Sequence, residues 1–543
     1  MKRALILLAL MAVVGLPFLL RPRQRAIASK ADEILVVITP HNEALRYEYS
    51  RGFREWYHAR TGRTVAIDWR VIGGTTEITR FIESEYVSAF QHHWTKTLHR
   101  DWSMEVQAAF QNPRLVPDNS PADDSTEMAA RRAFLGSNIS CGLDVFFGGG
   151  SIDYIRQADA GRIVDCGLMA LHPEWFRDEI IPQSFTGEPY WDRQGRWVGD
   201  VLSSYGMIFN RDSLQRLGVA HEPRAWDDLQ DPKLRGEVAL CDPTKSSSIA
   251  KAFDNVIQQH IHRRWAQLQR ETGRDRASLE PQAVAEGWVS GLRLLQRIGA
   301  NARYFTDTSQ KPPIDVIQGN SAVGMCIDFY GRGGFEAKAA RQDGTGGRIG
   351  YYSPPDGTVL SPDPLAVLRG APNPKVALAF MEYALSMEGQ KLWNFKPGTP
   401  GGTEHYELRR LPIRRDFYTA GFDQYRSDPD VNPYAGDNPL IYHGAWTGGI
   451  VNEMSFVVRV MCLDTHPELV EAWKEIIRAG MPADALAVMQ DMSAVSYPEM
   501  NGRIKQALTS KDKVDAVRLA SELAGSFRRQ YARAAELARA ARH

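Results

Sequence analysis

The stretch "EVALCDPTKSSSIAKAF", Glu237 to Phe253, sets the grammar by which the rest of the chain reads. The short segment "EVAL" has the apolar make-up of a strand and runs into a turn at Asp242-Pro243. Thr244, Ser246, Ser247 and Ser248 then precede a run in which Ile249, Phe253, Val256, Ile257 and Ile261 recur at helical spacing. One hydroxyl is enough to cap a helix. Four in so short a span leave two readings: a solvated, serine-rich cap, or a seat for an anionic ligand, because free N–H groups and the macrodipole at a helix N-terminus favour negative charge.

The same strand–turn–helix order recurs upstream. "EILVVITP" from Glu33 is a continuous apolar run of buried-strand type, and a helix is predicted from Asn42 to about Ala59, with Leu45, Tyr49, Phe53 and Trp56 on one face. "TVAIDWRVI" reads as a second strand, "TTEITRFIESEYVSAF" as a second helix, and "LDVFFGGGS" as a third strand ending in glycines. This succession predicts an α/β, doubly wound sheet, in which ligands collect at the carboxyl ends of the strands. Residues 201–330 repeat the pattern and predict a second α/β lobe. The segment "NPKVALAFMEYALSMEGQKLW" reads as an amphipathic helix with Pro374 in its first turn. Residues 91–140 are polar and irregular. After about residue 400 the chain becomes loop-rich, then mostly helical, and its last segment carries a packing stripe through Val517, Leu519, Leu523, Phe527 and Leu537.

With 543 residues the chain is too long for one core and predicts two to four folding units. Its 65 basic and 65 acidic residues balance, which gives no support for a nucleic-acid partner. Five widely spaced cysteines form no metal-ligand pattern and read as small core hydrophobes, with a Cys141–Cys166 bridge as the alternative. At the N-terminus, Lys2-Arg3 precede an apolar run at residues 4–20, followed by Arg21, Arg23, Arg25 and "AIA". Residues 1–28 therefore read as a signal peptide or as an uncleaved inner-membrane anchor. Either places the rest of the chain in the periplasm or another extracytoplasmic space.

The residues just past each predicted strand form a consistent set. "TPHNE" brings His41 and Asn42, "GGTTE" brings Thr75 and Thr76, and "GGGS" brings Gly149, Gly150 and Ser151. The second lobe contributes "DPTKSSS" and "IDFYGRGG". Glycines permit close backbone approach to a ligand, and hydroxyls at a helix start add donors beside free N–H groups. Taken singly, each is also an ordinary turn or cap. Nucleophile elbows, zincin motifs, P-loops and dinucleotide fingerprints are missing, so no enzyme is expected. The pairs His92-His93 and His260/His262 lack companion ligands and read as surface residues.

Four segments, "YGMIFNRDSL", "PRAWDDLQDPKLRGEVALCDPTKSSS", "NARYFTDTSQKPPIDVIQGNSAVGMCIDFYGRGG" and "GTVLSPDPLAVLRGAPNPKVALAFMEYALSMEGQKLW", resemble extracellular solute-binding proteins of ABC importers. The nearest branch binds ferric iron, phosphonates or sugar phosphates, and the likeness covers roughly residues 33–396. It implies a type II periplasmic-binding fold, with two α/β lobes joined by crossover strands and closing on a ligand. The expected boundaries are 33–200 with 345–400 for lobe 1, 201–344 for lobe 2, and 401–543 for a loop-rich and helical extension without a counterpart, which reads as a packed accessory domain. The resemblance makes Thr244, Ser246, Ser247 and Ser248 cleft residues. At "IDFYGR", where ferric-binding members carry adjacent tyrosines, this chain has Phe329-Tyr330 flanked by Asp328 and Arg332. One phenolate weakens the iron reading, and a guanidinium suits an anion.

The expectation is a monomeric periplasmic receptor that captures a small anionic solute, phosphorylated or phosphonate-like, and delivers it to an inner-membrane ABC permease without a cofactor. One wall of its cleft would be His41, Asn42, Thr75, Thr76 and Ser151, with Gly149 and Gly150. The other would be Thr244, Ser246–Ser248, Asp328, Tyr330 and Arg332. Two alternatives stand beside it: a ferric-iron receptor with His41, Tyr205 and Tyr330 as ligands, and a membrane-anchored sensory or scaffolding protein built on the same lobes.

Overall fold

Two strand crossings divide the molecule, a computed structural model that describes residues 31–117, 125–332, 347–435, 439–510 and 512–542. The expected signal or anchor segment at residues 1–28 lies outside the described residues. Among the described residues no helix is long and apolar enough to cross a membrane.

The first lobe is built on a mixed seven-stranded sheet. Strand Glu33–Ile38 pairs in parallel with Val65–Arg70 on one side and Val145–Phe147 on the other. Strand Ser361–Leu368 then runs antiparallel to Val145–Phe147, Ile163–Val164 and Val198–Ser203, and Leu411–Pro412 closes the edge against Val198–Ser203. The second lobe holds a five-stranded sheet in the order Ala302–Thr306, Val238–Cys241, Val323–Ile327, Tyr205–Asn210, Ile349–Tyr352. The chain leaves the first sheet after Ser203, enters the second at Tyr205, and returns between Tyr352 and Ser361. This return falls later than the expected residue 345, because Ile349–Tyr352 still pairs antiparallel with Tyr205–Asn210. At the crossings Thr358 Oγ1 accepts from Tyr205 N at 2.9 Å, and Ser353 Oγ donates to Tyr205 O at 2.8 Å.

Helices fall close to where periodicity puts them: Glu43–Thr61 capped by Asn42, Thr75–His92, and Ser247–Thr272 capped by Ser246. The predicted single helix after Pro374 is two, Pro374–Leu385 and Met387–Asn394. Ser386 interrupts it by accepting from Gly389 N at 3.2 Å and so capping a new helix. The stretch 91–140 is ordered by aromatic packing where it is described: Phe90 stacks on Phe110 at 4.4 Å between ring centres, and Phe134 meets Phe110 edge-on at 5.0 Å. His260 and His262 are half-buried rather than surface residues, because each ring bonds inward, to Ser290 Oγ and to Ile441 O, both at 2.7 Å. All five cysteines are free, and four are buried.

Residues after 400 divide between the lobes instead of standing apart as an accessory domain. Residues 408–434 wrap the first: Leu411 and Ile413 enter its core, while Leu408, Val431 and Tyr434 pack against it. From Trp446 onward the helices complete the core of the second lobe, where Trp473, Phe527 and Tyr531 join Trp288 and Leu295 in one apolar cluster. The stripe of the last helix, Lys513–Ala540, is buried through Leu519, Leu523 and Phe527, whereas Val517 is 69% exposed. Polar contacts fix this attachment. Trp473 Nε1 donates to Asn301 Oδ1 at 2.8 Å, and Trp288 Nε1 to Val495 O at 2.9 Å.

At the centre of that core the long helices Ser247–Thr272 and Arg276–Asn301 pack backbone to backbone. A Cβ at Gly291 would lie 2.8 Å from Ile257 Cα. Gly291→Ala should therefore destabilise the protein by about 1–3 kcal/mol despite alanine's better helix propensity. A thermal melt followed by circular dichroism checks this; a melting temperature equal to or above that of the unchanged protein contradicts it.

Candidate functional site

The carboxyl ends of both sheets open onto one cavity of about 580 Å³ between the lobes. Two helices begin at its walls, Thr75–His92 from the first lobe and Ser247–Thr272 from the second. Gly74, the residue before the first, offers no side-chain cap, so the leading N–H groups of that helix are available to other acceptors.

A buried carboxylate organises the first-lobe wall. Asp363 Oδ1 accepts from Gly149 N at 2.5 Å, and Oδ2 accepts from Arg410 Nη2 at 2.5 Å. His41 Nε2 lies 3.3 Å from Asp363 Oδ2 and 3.1 Å from Arg410 Nη1, and His41 Nδ1 lies 2.9 Å from Thr39 Oγ1. Arg410 also donates to Ser203 Oγ at 2.9 Å and is 3% exposed, yet its buried Nε–H has no hydrogen-bond partner among the described residues. Its guanidinium crosses the cleft to the Phe329 ring of the second lobe, 4.4 Å from the ring centre. Burial alone would raise the Asp363 carboxyl, but the Arg410 charge and the His41 ring hold it well below the usual carboxylate range. Burial lowers His41, and Asp363 only partly restores it.

Glycine is required at the loop that carries this arrangement. Gly148 and Gly149 have φ of 97° and 127°; a Cβ on the first would meet His41 Cε1 at 2.5 Å, and one on the second Thr75 Cγ2 at 2.7 Å.

The expected residues distribute as follows. His41, Asn42, Thr75, Gly149, Ser246, Ser247, Ser248, Tyr205 and Tyr330 line this cavity. Thr76, Gly150, Ser151 and Thr244 line a neighbouring one. Several polar groups are already engaged: Asn42 Oδ1 accepts from Leu45 N, Thr244 Oγ1 donates to Asp242, and Ser151 Oγ donates to Glu188. Burial pushes the Tyr330 phenol up to about 12, against the pull of Arg410. Among the described residues no three His, Cys, Asp or Glu side chains gather as metal ligands.

Asp328 and Arg332 do not reach the cavity. Arg332 Nη2 donates to Asp328 Oδ2 at 2.5 Å, and its Nη1 lies 3.6 Å from Asp428, a residue of the segment wrapped on the first lobe. Burial works against its charge, but the two carboxylates more than offset it. The arginine expected to hold solute is an inter-lobe tie, and the guanidinium at the cleft is that of Arg410. Sequence reasoning missed Arg410 and Asp363 because neither sits past a strand in a glycine- or hydroxyl-rich loop. Lys245, Ser309 and Gln310 also line the cavity; Lys245 was legible only as the residue between Thr244 and Ser246.

Residues 160–428 match the sequence model of a family described as bacterial extracellular solute-binding protein. An uncharacterized protein of Haemophilus influenzae is 26% identical over 250 residues, which are 46% of this chain and 60% of that protein, so the chain spans less than two thirds of that relative's length. Solved structures similar to this chain include the periplasmic binding protein P5PA (18% identity, TM-score 0.45, covering 76% of this chain and 94% of that one). The fructose-6-phosphate-bound AfuA of Actinobacillus pleuropneumoniae follows at 16% identity and TM-score 0.43, with 82% and 99% covered. Iron-bound HitA of Pseudomonas aeruginosa gives 16% and 0.40, with 78% and 97% covered.

Two outcomes are expected from this geometry. Arg332→Ala leaves Asp328 and Asp428 buried with less compensation and should cost about 3–5 kcal/mol; denaturant unfolding with an unchanged midpoint contradicts the pairing. The second concerns pH. The folded protein resists protonating His41, His262, His443 and His466, all lowered by burial, and His260, lowered to about 4. Below an unfolded pKa of about 6.5 the unfolded chain binds more protons at these five sites, so they lower stability as pH drops from 6.5 toward 4, while the carboxyls of Asp144, Asp153, Asp200 and Asp254, all raised by burial, act the other way. His260→Gln should therefore lose less melting temperature between pH 7 and pH 5 than the unchanged protein, and an equal loss contradicts this.

Through residues 160–428, just under half of its length, the chain carries the sequence pattern of the bacterial extracellular solute-binding proteins.

Proposed function

We propose that the protein is the receptor of an ABC-type importer and captures a small anionic, phosphorylated or phosphonate-like solute between its lobes. The observation that carries this reading is the convergence of helix N-termini from both lobes on one hydroxyl-lined cavity, with Lys245 at its rim and the unpartnered Nε–H of Arg410 in its wall. Backbone N–H groups aimed at a common space suit an anion. Arg410 itself is neutralised by Asp363, so its part is to hold the wall of the cavity rather than to supply net charge. The cavity also holds Glu77 and Asp307, whose acids favour a solute with hydroxyl groups as well as an anionic end.

The mechanism is capture by closure. A solute touching Thr75 on one lobe and Ser247 on the other gains contacts available only when both face it, and so shifts the population toward the closed form. The lobes already meet around the cavity: a Cβ on Gly74 would stand 3.4 Å from the Lys245 carbonyl, and Arg410 lies over Phe329. Movement would occur at the crossings 203–205 and 352–361. No bond in the solute changes. Delivery would be to a permease in the inner membrane, which places the lobes on the extracytoplasmic side.

The test is a thermal-shift panel on purified protein, unfolded and refolded to remove co-purified solute, with phosphate esters, phosphonates, phosphate, carboxylates and ferric citrate. A ligand at one hundred times its dissociation constant adds about 2.7 kcal/mol, a shift of a few degrees in a chain of this size. A shift with a phosphorylated or phosphonate class is expected. Lys245→Ala should then weaken that ligand about fivefold, the effect of removing one exposed charge contact. A shift confined to ferric citrate, with a visible charge-transfer band from Tyr205 or Tyr330, replaces the anion reading with the iron one. Silence across the panel removes both.

A further inference from the structure

A second cavity, of about 400 Å³, adjoins the first. Gly149, Tyr205, Ser247 and Ser248 line both, so the two share a wall made by the glycine loop and the start of the long second-lobe helix. The far side of the second cavity has a different chemistry. Arg80, in the second turn of Thr75–His92, and Arg156, in the second turn of Ser151–Ala160, both line it. Lys251 lines it too but is committed: its Nζ pairs with Glu188 and lies over the Tyr442 ring, 3.1 Å from the ring centre. The acid among the lining residues is Asp153. Arg80 makes no ion pair among the described residues, and Arg156 has within Coulomb reach only Asp153 of this wall, whose carboxyl burial raises to about 6.

The remaining wall comes from the C-terminal part of the chain. Val451, Phe456 and Leu508 give it an apolar face, and Asn452 accepts from Arg156 Nη1 at 3.4 Å. The cleft is thus continued sideways into a pocket with two exposed arginines at its edge and an apolar wall.

We infer that the solute carries two separate anionic groups: one at the helix N-termini of the first cavity, the other beside Arg80 and Arg156 in the second, with its body under Phe456 and Leu508. This rests on the anion reading above and names the solute class within it, a bis-phosphorylated, bisphosphonate or phosphono-carboxylate compound. A guanidinium pair takes a phosphonate or carboxylate by forked, charge-assisted hydrogen bonds. Joining two anionic groups through one body makes the second contact intramolecular, which multiplies affinity when the spacing matches.

Isothermal titration of the refolded full-length protein compares methylphosphonate with a series of α,ω-alkane bisphosphonates of increasing carbon spacing. At one spacing the bisphosphonate should bind about tenfold tighter or more. In Arg80→Ala/Arg156→Ala the ratio of the two affinities should fall toward one. Thr79→Glu, which adds a like charge to the same wall, should lower the ratio as well and serves if the double variant melts early. Methylphosphonate binding with no bisphosphonate tighter overturns the inference and leaves the anion reading standing. A tighter bisphosphonate whose advantage survives both variants overturns the assignment to the second cavity. Binding of neither compound removes the anion reading and the inference together.

Discussion

The carboxylate of Asp363 is the interaction on which the cleft depends. It lies on the strand Ser361–Leu368, which runs antiparallel to its neighbours on both sides in the first sheet, and it reaches three segments distant in sequence: the glycine loop through Gly149 N, the end of the first strand through His41, and the wrapped segment through Arg410. A charge so deeply buried persists only with compensation on every side. Compensation here is complete, because both oxygens are engaged and the cation that neutralises them is itself held by Ser203. The consequence is a rigid wall. Gly149 cannot drift from Thr75, nor His41 from Gly148, without undoing a buried ion pair.

The cation that sequence reasoning weighed for an anion site, Arg332, and the one that the fold brings to the cavity, Arg410, differ in what they are free to do. Arg332 is spent between Asp328 and Asp428, and its work is to join the second lobe to the segment wrapped on the first. Arg409 pairs with the same Asp428. The contact between the lobes is therefore supported by an ion-pair network beside the cavity. Arg410, one residue along from Arg409, turns the other way: it lines the cavity, pairs with Asp363, and keeps a buried Nε–H with no acceptor among the described residues. Neighbouring arginines thus divide the labour: Arg409 holds Asp428, the carboxylate that Arg332 of the second lobe meets, and Arg410 lines the ligand space.

Much of the fold was legible because strand and helix periods are local. "EILVVITP", "TVAIDWRVI" and "DPTKSSSIAKAF" each carry their own burial pattern and their own stop signals, and the strand ends they mark do converge. Ser246 was legible as a cap because a cap is a contact three residues long. What was not legible depends on tertiary pairing. Arg410 sits in "ELRRLPIRR", where four arginines of similar promise offer no local clue to which one reaches the cavity. Its selection follows from Leu411–Pro412 pairing with Val198–Ser203, a contact across some two hundred residues. The helix break at Ser386 was missed for a related reason, since the apolar period continues unbroken through a residue that can either sit in a helix or cap the next one.

The C-terminal region read as an addition because it changes composition, from strand-and-helix alternation to loops and then helices. Physically it is not an addition. A lobe containing two 26-residue helices packed on a five-stranded sheet leaves the outer faces of those helices apolar, with Trp288, Leu295 and Trp265 on them. Without Trp446, Trp473, Phe527 and Tyr531 against them, that surface would be a large exposed patch of the kind that draws aggregation. The length of the helical hairpin thus demands the helices that follow it. Once in place, those helices and their leading segment also stand at the side of the cleft, where Asn452 and Phe456 bound the second cavity. The requirement to cover a core and the shape of the space offered to a solute are satisfied by the same residues.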